Sequence, residues 1–95
     1  MNPDLEAELE ARRKYYELDE QRKQVEYLFF WFHTRSENAE RLCYDYLNPY
    51  SDIDRKKRSQ ITRSIGGRIT NMERMIVKLR TEWDKFLTMK KKAKL

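Results

Sequence analysis

In the second half of the chain, apolar side chains recur at Ile65, Ile69, Met72, Ile76, Leu79, Trp83 and Phe86. The alternating steps of four and three predict a long helix with a coiled-coil seam. Ile61 stands four residues before Ile65, an additional step of four that predicts a local stutter in the supercoil. In the first half, Leu18, Val25, Leu28, Phe29, Phe32, Ala39, Leu42, Cys43, Tyr46 and Leu47 fall on one face of a helix, close to a heptad pattern. The two faces together predict the core of a helical hairpin.

The boundaries follow from local chemistry. Pro3 in a first turn and the acids Asp4, Glu6, Glu8 and Glu10 suit the positive end of a helix dipole, so the first helix is expected over about 4–47. Asn48-Pro49-Tyr50 is the one strong stop. A residue before proline avoids helical dihedrals, and Asn tolerates the left-handed conformation common at helix ends. The turn is therefore predicted over 48–51. Ser51 is the expected cap of the second helix, accepting from the amide of Asp54, with Asp52 and Asp54 in the first turn and the helix running over about 52–92. A basic stretch over 90–95 closes a single domain spanning 1–95. Gly66-Gly67 interrupts the second helix at a cost of about 1 kcal/mol per glycine. Either the helix breaks there, or the missing side chains admit a bulky neighbour. The fold class is all-α: an antiparallel hairpin of two long helices, the second with a candidate break at Gly66-Gly67.

A hairpin has too little partner surface for its aromatics. Residues Val25 to Phe32 read V-E-Y-L-F-F-W-F, placing large apolar groups all the way round the first helix. One neighbouring helix covers only a stripe of such a ring. Leu5, Leu9, Tyr16, Tyr27 and Phe30 form a second apolar stripe on the back of the first helix, with Trp31 between the two stripes. These six are the candidate partner-binding residues, and a second copy completing a four-helix bundle is the expected partner. A different protein docking a helix there is the other protein partner this stripe would suit.

Charge adds a second candidate surface. The net charge of +5 conceals a division, with 7 Lys or Arg against 11 Asp or Glu in residues 1–50 and 14 against 5 in residues 51–95. Opposite charge favours folding one half on the other, yet leaves the second half a cationic excess. Lys56, Arg63, Arg74, Lys78, Lys85 and Lys92 project to one side of the second helix, with only Gln60, Gly67, Thr70, Thr81 and Thr88 between them. Such a single-sign stripe is a candidate for sequence-nonspecific contact with nucleic-acid phosphates. Its ordinary alternative is a solvated face, or one paired with the acidic first helix.

The remaining chemistry is sparse. Cys43 is the only cysteine, which excludes an internal disulfide and a thiol zinc cluster, and its expected place is the interior. His33, Glu37 and Glu40 share a face but lack a second His or thiol, so no metal site and no cofactor are expected. Asp45, Asp52 and Asp54 near the turn read as helix-end residues, and no Gly-rich phosphate loop, Ser-His-Asp set or Cys-His pair exists, so no enzyme activity is expected. No run of apolar residues is long enough to span a bilayer, and the acidic start is unlike a targeting segment. The expected location is intracellular, cytoplasmic or nuclear. The expected function is a non-enzymatic oligomeric interaction or scaffold module, with nucleic-acid binding as the alternative.

Overall fold

Capping chemistry sets where the helices begin and end. In the computed structural model, which describes residues 2–95, α1 spans Pro3–Tyr46 and α2 spans Arg55–Lys92. The Asn2 side chain accepts from the Asp4 amide at 3.0 Å, and proline in the first turn needs no hydrogen-bond partner for its nitrogen. The second cap differs from the expectation. Asp54, not Ser51, caps α2 by accepting from the Lys57 amide at 2.7 Å. An aspartate three residues nearer the basic run supplies both the acceptor and the charge, so the eight residues 47–54 form the connection rather than four.

Asn48 does end α1, but not in a left-handed conformation, since Lys94 is the only described non-glycine residue with positive φ. Its side-chain amide donates to the Tyr44 carbonyl and accepts from the Tyr50 amide, satisfying groups that the helix end would otherwise leave orphaned.

Two antiparallel rods result, 74 Å long and 18 × 17 Å in section. Their register is pinned by Gln21, whose Nε2 donates to the Glu82 carbonyl at 2.9 Å and to its carboxylate at 2.7 Å. In α2 the buried and half-buried positions are Arg58, Ile61, Ile65, Arg68, Met72, Met75, Leu79, Glu82, Phe86 and Met89. The alternation of three and four is unbroken, so no stutter occurs. In α1 they are Leu18, Gln21, Val25, Leu28, Phe32, Ala39, Leu42 and Tyr46, with Thr34 and Ser36 half-buried beside them.

Three of the seven residues expected in the seam of α2 therefore lie elsewhere. Ile65, Met72, Leu79 and Phe86 face α1, whereas Ile69, Ile76 and Trp83 are exposed on one flank, together with Phe29 of α1. The apolar face of α2 is three heptad positions wide, and one neighbouring helix covers two. Cys43, expected inside, is also exposed. No large side chain among the described residues is completely enclosed.

α2 is continuous through Gly66-Gly67, so of the two alternatives the break does not occur. The idea of a bulky neighbour fails as well, because a Cβ added at either glycine would meet nothing within 4 Å. Both glycines keep helical backbone without steric need. Gly66→Ala and Gly67→Ala are each expected to stabilise the fold by about 0.5–1 kcal/mol. In thermal denaturation this corresponds to roughly 2–8 °C per substitution.

Candidate interaction surfaces

With the seam at heptad positions a and d, antiparallel pairing places the e and b positions of both helices on one side of the hairpin and the g and c positions on the other. The Gln21–Glu82 contact gives the levels: Trp83 is level with Glu20, Ile76 with Tyr27 and Ile69 with Thr34, each pair on opposite sides of the hairpin. The first side is thus apolar at its middle. Phe29, Ile69, Ile76 and Trp83 are each between 39% and 55% exposed. Phe29, Ile76, Leu79, Arg80 and Trp83 line an open hollow of about 350 Å³. Trp83 is held by stacking on Phe86, with ring centroids 5.5 Å apart and planes at 27°. Prediction from the residues missed this patch by placing it in the seam. The signal was present in Met75 and Met89, which supply apolar groups at the competing seam position.

The rim of this side is charged by opposite signs. The e and b positions of α1 carry Glu8, Asp19, Glu26 and Glu40 against Arg12 and Arg22, and those of α2 carry Arg55, Arg80 and Lys90 against Glu73. Local pairs tie down part of the α1 rim. Arg22 binds Asp19 at 2.8 Å and also Glu26, while Lys23 lies 3.4 Å from Glu20. The hydrogen bond from Arg22 is the main cause holding the Asp19 carboxyl below its ordinary range, and the same bond holds the Arg22 guanidinium above its own. Lys23 is raised chiefly by its hydrogen bond to Glu20.

The six predicted partner residues are all exposed but do not form one face. Leu9, Tyr16 and Phe30 lie directly opposite the seam, Leu5 lies toward the apolar side, and Tyr27 and Trp31 lie toward the other. Phe30, Trp31 and Tyr27 make an exposed knot, with centroids 5.8 Å apart for Phe30–Trp31 and 6.0 Å for Tyr27–Trp31, both edge to face.

The predicted cationic stripe also divides once the helices supercoil. Lys56 and Arg63 face away from the seam, whereas Arg74, Lys78, Lys85 and Lys92 lie on the side that carries Tyr27 and Trp31. Among the described residues none of the six has a carboxylate within 4.0 Å, and every ion pair lies within one helix. The opposite charges of the two halves therefore make no contact pair between helices. Lys85 nevertheless shares a hollow with Glu17, Glu20 and Glu82, and Lys92 shares one with Glu10 and Glu17. The hydroxyls of Thr70, Thr81 and Thr88 donate to the carbonyls of Gly66, Val77 and Asp84, four residues back in their own helix.

His33 Nε2 lies 3.2 Å from Glu37 on an exposed turn of α1, and among the described residues no group of three metal-binding side chains converges. No described helix is long and apolar enough to cross a membrane. The geometry defines a two-helix hairpin with one apolar and one polar-aromatic side. Comparison of the chain with protein-family models, curated proteins and solved structures returns no match.

Proposed function

We propose that this hairpin is a non-enzymatic interaction module that works as a homodimer, two copies packing their Phe29-Ile69-Ile76-Trp83 sides together into a four-helix bundle. The observation that carries this reading is surface area. The chain exposes 7944 Å², whereas a folded monomer of 11.8 kDa exposes about 5,900 Å² by the usual scaling with mass. The excess, about 2,000 Å², is of the size that an obligate pairing removes from each chain.

A second copy suits this side better than a foreign partner because the side complements itself. The acid-rich rim of α1 and the cation-rich rim of α2 attract when α1 of one copy lies on α2 of the other. Equal levels then bring Phe29 of one hairpin within two residues of the level of Ile76 of its partner. The two-fold axis runs along the rods in this arrangement, with both turns at the same end. The Leu9, Tyr16 and Phe30 row is a weaker choice of interface, since it belongs to one helix and a bundle needs both.

Light scattering over a tenfold range of micromolar concentration tests the reading, with an expected mass twice 11.8 kDa. A fully helical species of 11.8 kDa, the mass of one chain, throughout would refute it.

A further inference from the structure

The side opposite the apolar patch changes character along its length. Near the open end of the hairpin it carries Glu10, Glu17 and Glu20 opposite Lys85 and Lys92. In the half nearer the turn the only acid on this side is Asp45, beyond Arg41 at the end of α1. From Gln24 to Arg41 on α1 its positions are Gln24, Tyr27, Trp31, Thr34, Asn38 and Arg41. From Lys57 to Lys78 on α2 they are Lys57, Gln60, Ser64, Gly67, Asn71, Arg74 and Lys78. The stretch holds two aromatics, four amides, four cations and no carboxylate.

We propose that this stretch, bounded at its turn end by the one acid Asp45, binds single-stranded nucleic acid, with Tyr27 and Trp31 stacking on bases and Arg41, Lys57, Arg74 and Lys78 neutralising phosphates. Single-strand sites combine a basic track with aromatic platforms, because every base has a face that stacks. The edge-to-face packing of Tyr27 and Trp31, at 78°, keeps the two rings from covering each other's faces, and both are exposed. None of the four cations has a carboxylate within 4.0 Å among the described residues. Arg41 shares a hollow with Glu37 and Glu40, and Lys57 Nζ lies 5.9 Å from the centre of the Tyr46 ring, so Arg74 and Lys78 carry most of the charge offered to phosphates.

Half-buried Arg68 adds positive charge beneath, at the level of the exposed Arg35. The Arg68 Nε is enclosed without a hydrogen-bond partner. An amphipathic peptide is the poorer occupant. No Leu, Ile, Val or Met stands among these thirteen positions to receive its apolar side chains. The amides of Gln24, Asn38, Gln60 and Asn71 instead offer hydrogen bonds to base edges. The track extends for about 30 Å along the rods, and it lies on the far side from the proposed dimer contact, so it stands or falls independently of self-association.

Fluorescence anisotropy of a labelled fifteen-nucleotide single strand, titrated with the full chain, tests the assignment. Binding is expected to weaken with salt at a logarithmic slope of about −2 to −3, since four phosphates contribute about −0.7 each. Trp31→Ala should weaken it about tenfold or more, and Arg74→Glu with Lys78→Glu about a hundredfold. Lys85→Glu, placed among carboxylates, should change it less than threefold. In a Trp83→Phe background the remaining tryptophan emission, from Trp31, should be quenched as the strand binds. Circular dichroism and mass on each variant separate a lost site from a lost fold, and Trp31→Phe, which keeps a ring, should retain most of the affinity. The assignment is overturned by absence of binding, by equal competition from duplex, by capture of a polyglutamate peptide with the same strength, or by a folded Trp31→Ala variant that binds unchanged.

Discussion

Glutamate at both Ile76 and Phe29 is expected to convert the dimer into monomers, raising the dissociation constant at least a thousandfold. The two side chains stand at the centre of the apolar side, 51% and 55% exposed in the single hairpin. Substitution costs the lone hairpin little, because both carboxylates would remain in water. In the dimer position 29 of each copy faces position 76 of the other, so four carboxylates would be desolvated without partners, each costing several kcal/mol. Tyr27→Glu with Phe30→Glu, on the other sides of α1, is expected to leave the mass unchanged. Sedimentation equilibrium of the two double variants distinguishes the faces, and dissociation by the second pair alone would move the interface to the aromatic knot. Loss of helicity in the dissociated variant is an expected companion effect, since the chain would keep only the seam of one hairpin.

Leu28→Ala is expected to be the most destabilising truncation in the seam, at about 2–4 kcal/mol. Leu28 is 6% exposed at the middle of α1 and, with Leu18, Val25, Ala39 and Ile65, makes up the buried apolar core among the described residues. Domains are stable by only about 5–15 kcal/mol in total, so a loss of this size removes a large share. Denaturant melts at fixed protein concentration should show a lower midpoint with an unchanged slope. Leu9→Ala, directly opposite the seam, should shift it by less than about 0.5 kcal/mol. Similar shifts for both would mean that the back row is buried by a partner.

Much of the architecture was legible because helices are written in local chemistry. Pro3 with its acids, Asn48-Pro49 and the spacing of Leu18, Val25, Leu28 and Ile65 report on residues a few positions apart, and the structure agrees with them. The choice between Ser51 and Asp54 as cap was not legible. Both have the right side chain, and the difference lies in where the chain emerging from Asn48 can rejoin α1. Gly66-Gly67 misled for a related reason, since a glycine pair lowers helix propensity without forbidding helix, and packing along the seam outweighs it.

The candidate surfaces divide in the same way. That Tyr27, Phe30 and Trp31 encircle more of α1 than one neighbour can cover follows from 3.6 residues per turn alone, and all three are exposed. Which apolar residues of α2 would share that fate does not follow. Two seams of alternating threes and fours coexist in α2, one through Ile69, Ile76 and Trp83 and one through Arg68, Met75 and Glu82. A one-dimensional pattern scores the first higher for its apolar content.

The chain's own order of residues settled that there would be two long antiparallel helices, an acidic rod beside a basic one, with more apolar surface than a hairpin buries. Periodicity, caps and charge act over a few residues, so each is readable without knowing what lies across the seam. Only the packed hairpin decided that Gln21 meets Glu82, that Ile69 and Ile76 turn outward on the side of Phe29, and that one half-face keeps a single acid, Asp45. Those outcomes depend on the rotation of one helix about its axis relative to the other, and that angle is set by the fit of both surfaces at once.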